Sequence, residues 1–97
     1  AAASREEAER ITGSAVEQRL AACGQVIGPV ASTYRWEGTV ERAEEWLCLL
    51  KTTRARFPEL QRHILRTHSY RVPEIIATAI TAGAIDYLDW IRAETAS

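Results

Sequence analysis

"QVIGPVASTYRWEGTVERAEEWLCLLKTT", residues 25–53, decides the fold. Its first arm, about 25–36, is rich in β-branched and aromatic residues and is interrupted by Gly28-Pro29, as a strand bent by a bulge would be. Glu37-Gly38 supplies a tight turn, and the second arm begins polar and ends apolar, so the two arms form a hairpin. Within the second arm, "WLCLL" at 46–50 is apolar on both alternating faces. A sheet wet on one side does not carry that pattern, so both faces need cover.

Upstream, "SREEAERI" at 4–11 reads as a capping box. Ser4 accepts from the Glu7 N–H, and the Glu7 carboxylate reaches back to the Ser4 N–H. Ala8, Ile11, Ala15, Val16 and Leu20 then recur at helical spacing until Gly24 supplies a stop, which predicts a helix over about 5–22. Downstream, Phe57, Leu60, Ile64 and Leu65 form one stripe with Pro58 near its start, predicting a helix over 57–67. His63 on that helix is read as a surface residue. Pro73 leads into a second apolar run, "IIATAI" at 75–80, read as a strand. "DYLDWIRAE" at 86–94 is read as a closing helix with Asp86 as its N-cap.

The order is helix, strand, strand, helix, strand, helix. That is the split βαβ pattern of an α+β sandwich without its first strand, which is expected immediately before Ala1. With helices on one side of the sheet, cover for the other side must come from self-association.

The totals fit that picture. At 97 residues and 46% hydrophobic the chain suits a single domain, 1–97, with one core. A domain of this size buries only about 60–65% of its unfolded surface, so association adds materially to its stability. The formal net charge of -1 excludes a general nucleic-acid binder. No run of apolar residues is long enough for a membrane span. Charge is unevenly placed: Lys51, Arg54, Arg56, Arg62, Arg66 and Arg71 face only Glu59, whereas Glu37, Glu41, Glu44 and Glu45 face only Arg42. Two solvated faces explain this, and so do complementary patches meeting between subunits. Cys23 and Cys48 have no C-x-x-C spacing and read as small core residues of a reduced, cytoplasmic protein.

"LAACGQV", "YRWEGTVERAEEW", "LLKTT", "HSYRVPEI" and "DYLDWI" occur in an order and spacing that resemble the CutA divalent-cation-tolerance proteins, over about residues 4–92. The resemblance implies a ferredoxin-like sandwich assembled as a homotrimer, with strands of neighbouring subunits paired at their edges. It also implies a part in tolerance of copper and other divalent ions, with no established reaction, no required cofactor, and Cu(II) or another divalent cation as a possible ligand.

His68 falls on the family's histidine before the tyrosine, implicated there in copper binding, and imidazole suits Cu(II). It is the metal candidate. Thr67 stands where some members have a second histidine, and the family's "HPYE" is here His68-Ser69-Tyr70-Arg71, which puts a cation in place of a carboxylate. The alternative reading of His68 is a turn histidine satisfied by backbone groups. Trp36, Glu37, Lys51, Tyr70 and Glu74 also match family motifs and are candidates for a cleft between subunits; Lys51 is the only lysine among twelve basic residues. Such a cleft suits a small-ligand or protein-binding scaffold whose architecture resembles trimeric PII-like signalling proteins. No nucleophile elbow, phosphate loop or H-E-x-x-H is present, and adjacent Glu44 and Glu45 point to opposite faces of a strand, so no catalysis is expected.

Overall fold

A computed structural model describes residues 1–96. Helix α1 (Arg5–Glu17) is followed by strands β1 (Cys23–Trp36) and β2 (Thr39–Lys51), then by helices α2 (Phe57–Thr67) and α3 (Ile85–Glu94). The two strands form the expected antiparallel hairpin, from Cys23 opposite Lys51 to Trp36 opposite Thr39. Glu37 and Gly38 close it with φ of 49° and 85°. Positive φ at both turn positions matches the right-handed twist of the strands it joins.

The bulge falls where Gly28-Pro29 predicts it. Ile27 pairs with Leu47 and Val30 with Glu45, so Gly28 and Pro29 together face Trp46. A Cβ on Gly28 would overlap the Trp46 indole, so only glycine lets the ring lie flat against the backbone here. On its other edge, Trp46 exchanges both backbone hydrogen bonds with Ala2, at 2.7 and 2.9 Å. Ala2 thus forms an isolated antiparallel bridge on the edge of β2 opposite β1.

α1 begins as expected, with Ser4 Oγ accepting from the Glu7 N–H at 3.1 Å. It ends at Glu17 rather than near residue 22. Arg19 adopts φ 60°, its N–H bonds to Val16 O, and the Leu20 N–H bonds to Ala15 O. This is a Schellman stop closed by a non-glycine residue, and it turns Leu20 into the core as the motif's hydrophobic contact. Periodicity missed it because Leu20 stays buried on either path.

The core gathers Ile11, Ala15, Leu20, Ala21, Leu60 and Ile64, with Leu50 and Ile75 packed against it. Two expectations are corrected. Residues 75–80 form no strand: a strand is defined by its partner, and among the described residues the one sheet is the β1–β2 hairpin, with which this run does not pair. α3 starts at Ile85, and its cap is Ala84, two residues before the expected Asp86; Asp86 lies in the first turn, where its charge favours the helix dipole without capping it.

Cys48 bonds to Ala8 O of α1 and Leu50 packs on the core, so strand alternation turns Glu45, Leu47 and Leu49 away from the helices. On that outer face Ile27 and Leu49 remain 47% and 45% exposed. The two-sided apolar pattern is therefore covered by the chain itself on one side only.

Candidate functional site

The turn after α2 ties three elements together. Glu7, buried on α1, accepts from the Ser69 N–H at 2.8 Å and the Ser69 hydroxyl at 3.0 Å. Its carboxylate therefore serves this turn rather than closing the capping box. Burial pushes the Glu7 carboxyl up, but the two Ser69 bonds, the neighbouring His68 ring and a bond from the Ala3 backbone outweigh it and hold the group below its ordinary value.

The His68 side chain is buried beside it. Its Nδ1 accepts from the Tyr70 N–H at 3.0 Å, so the ring proton sits on Nε2, which donates to Ala1 O at 2.7 Å. Nδ1 lies 3.9 Å from Glu7 Oε2, too far for a hydrogen bond. Both ring nitrogens are engaged by backbone groups. Among the described residues no three His, Cys, Asp or Glu side chains converge as a metal-holding group.

Tyr70 leads from this turn to β2. Its hydroxyl donates to Glu45 Oε2 at 2.9 Å. Burial, that bond and the charge of Glu45 push the phenol up to about 12, with smaller contributions from Tyr34 and Glu7. In front of this pair opens a cavity of about 590 Å³ whose walls include Tyr34, Trp36, Glu45, Tyr70, Arg71 and Glu74. At its mouth the Arg71 guanidinium lies 5.4 Å above the Trp36 ring and 3.4 Å from Glu37 Oε1.

Of the expected cleft residues, Trp36, Tyr70 and Glu74 line this cavity, and Glu37 joins through Arg71. Within the chain Lys51 does not. Trp36 is at the hairpin tip and Lys51 at its base, roughly 40 Å apart at about 3.3 Å per strand residue; Lys51 Nζ instead bonds to Gln25 Oε1. Sequence reasoning missed Glu45, Tyr34 and Ser69 as members. Strand alternation was the available signal for Tyr34 and Glu45, whereas nothing local marked Ser69.

His63 is corrected from surface to buried: it packs between α1 and α2, with its Nε2 2.8 Å from Ser14 Oγ. It follows Leu60 by three residues and so sits on the apolar stripe. The cysteines are free and half-buried, Cys23 Sγ lying 3.4 Å from the Tyr87 hydroxyl. Trp90 packs its ring 5.6 Å from that of Tyr87.

The family model described as "CutA1 divalent ion tolerance protein" matches residues 1–94. The chain is 45% identical over 92 residues to the "Divalent-cation tolerance protein CutA" of Thermus thermophilus, covering 95% of this chain and 89% of that one. It is 37% identical over 91 residues to the "Protein CutA, chloroplastic" of Arabidopsis thaliana, covering 94% of this chain and half of that relative. A solved structure from Archaeoglobus fulgidus, described as a periplasmic divalent cation tolerance protein CutA, superposes with a TM-score of 0.95 at 39% identity, covering 98% of this chain and 92% of the other. These relatives correct the cytoplasmic expectation, since one is named chloroplastic and another periplasmic. Compartment is written by addressing segments rather than by the composition of a folded domain, so the free thiols were the wrong signal for it.

Proposed function

Because the chain belongs to the CutA1 divalent ion tolerance protein family, we propose that it serves in tolerance of divalent cations, copper(II) among them, as a homotrimer that binds ions weakly and catalyses no reaction. The engagement of His68 carries the word weakly. A metal at Nε2 displaces the bond to Ala1 O and moves the ring proton to Nδ1, where the Tyr70 N–H already points. Two hydrogen bonds are lost, at a net cost of about 1 kcal/mol each, and every 1.4 kcal/mol is about tenfold in affinity. Arg71, two residues beyond Ser69, adds a repelling charge. The exposed Ile27 and Leu49 on the outer face support assembly, because a neighbouring subunit supplies the cover.

The test is a calorimetric Cu(II) titration in a competing buffer, on the wild type and on His68→Ala. Saturable binding in the micromolar range or weaker that the substitution abolishes is the expected result. Indistinguishable titrations would leave His68 structural and remove it from the reading.

A second reading is favoured by the cavity between Trp36, Tyr70 and Glu45: a ligand-binding trimer resembling PII-like proteins in architecture, with this cavity as its site. A ligand selective for the folded protein raises its melting temperature, so a small-molecule screen by thermal shift separates this reading from an ion-only role.

A further inference from the structure

Ser14 and His63 form a pair that neither reading above uses. Ser14 Oγ lies 2.8 Å from His63 Nε2, and among the described residues it is the one hydroxyl hydrogen-bonded to an imidazole. His63 is 5% exposed, so packing between α1 and α2 fixes its ring, whereas Ser14 is only half-buried. The pair sits in the helix layer, on the side of the sheet away from Ile27 and Leu49, so assembly through the outer face does not cover it.

A serine hydroxyl is a weak nucleophile until a base takes its proton during attack, and an imidazole nitrogen at hydrogen-bond distance is such a base. Gln18 Nε2, one helical turn on, donates weakly to Oγ across 3.5 Å, which leaves the hydroxyl proton for His63. The same amide is the donor nearest to hand for a carbonyl oxygen that gains charge. The backbone offers no such donor, because Ser14 stands inside α1, where N–H groups are spent on the helix. Without an oxyanion hole a poor leaving group stays in place, so the pair fits acyl donors that are already activated.

We propose that Ser14 is an acylation site, modified by activated acyl donors such as aryl esters or thioesters, with His63 as its base. Oγ attacks the carbonyl carbon while its proton passes to Nε2. The bond to the leaving group then breaks with its electron pair, and Nε2 returns the proton to the departing phenolate or thiolate. The ring is too enclosed to bring a water onto the ester, so the acyl group stays and there is no turnover. An acylated Oγ has no proton to donate to Nε2, so modification also removes a side-chain link between α1 and α2.

p-Nitrophenyl acetate tests this on the intact protein, read by p-nitrophenolate release, intact mass and peptide mapping. A burst of about one equivalent per chain is expected. The acetyl group should map to Ser14 and leave with neutral hydroxylamine, which cleaves esters and spares amides. Ser14→Ala is expected to abolish the burst, and His63→Gln to slow it about a hundredfold. Should His63→Gln fail to fold, Ser14→Ala decides with the map, since alanine favours a helix interior: an unchanged burst in that variant would overturn the proposal. Acetyl found only on Lys51, the chain's only lysine, or on an amino terminus would overturn it, because amines react without a base. Equal rates at Ser14 in the wild type and in His63→Gln would also overturn it and leave the 2.8 Å contact a structural tie between helices. No acetylation at all would do the same.

Discussion

The Tyr70 hydroxyl donates to Glu45 Oε2 across 2.9 Å, joining the turn after α2 to the middle of β2 over 25 positions of sequence. The proton in that bond is held more tightly by the folded protein than by the unfolded chain, which sets how the fold responds to base. Below pH 10, the ordinary phenol value, Tyr70 is protonated in both states and its contribution is complete. As pH rises from 10 towards about 12 the unfolded chain releases the proton first, so stability falls across that window. Ultraviolet titration at alkaline pH is expected to show a late phenol at about 12 that is absent in Tyr70→Phe. A Tyr70→Phe profile identical to the wild type would refute the assignment.

Glu7 sets the acid side with the opposite sign. Its carboxyl is held below the ordinary 4.5, so its contribution is complete above that pH and is lost as pH falls through the folded value. Urea unfolding at about pH 7 and about pH 3 is expected to show a smaller acid loss in Glu7→Gln than in the wild type. At neutral pH the same variant should be less stable by about 1–3 kcal/mol, because the Ser69 donors lose a charged acceptor. An unchanged acid limb would place the acid sensitivity elsewhere.

What the sequence made legible divides along the distance between interacting residues. The hairpin, its Glu37-Gly38 turn, its bulge and the bounds of α2 follow from local chemistry, and each lies where periodicity and turn residues place it. The strand at 75–80 needed a partner strand, which no local pattern contains. The α1 stop at Arg19 hid because a left-handed arginine is a rare choice that only the Leu20 contact makes worthwhile. In the cavity, hairpin counting alone separates Trp36 from Lys51 by the full length of the strands, and alternation alone puts Glu45 on the face away from α1. That Tyr70 would reach Glu45, or that Ser69 would claim Glu7, depended on how the turn after α2 folds back, which is a tertiary fact.

Two glycines test the packing in opposite directions. Gly13 lies inside α1 with nothing within 4 Å of an added Cβ, so Gly13→Ala is expected to raise stability by about 0.5–1 kcal/mol through helix propensity. Gly28 is pressed against the Trp46 indole, and Gly28→Ala is expected to cost about 1–3 kcal/mol as the ring is forced away from the bulge. Chemical denaturation of both variants checks the pair. Equal effects would mean that the Trp46 ring yields without cost.

The outer face of the hairpin provides the decisive test of assembly. Ile27 and Leu49 stand about half exposed in the isolated chain, on the side of the sheet that α1 does not cover. Burying a leucine contributes about 1.5–3 kcal/mol, and in a symmetric assembly every copy repeats the contact, so one substitution acts several times over. A buried, unpaired carboxylate at the same place is more costly still. Light scattering is therefore expected to give three times the 10.8 kDa chain mass for the wild type and a smaller species for Leu49→Asp, with Glu44→Gln, exposed on the opposite side of the strand, as the control that stays assembled. If Leu49→Asp assembles as fully as the wild type, this face is not where the subunits meet, and the apolar run at 75–80, where Ile76 is 77% exposed, becomes the surface to probe next.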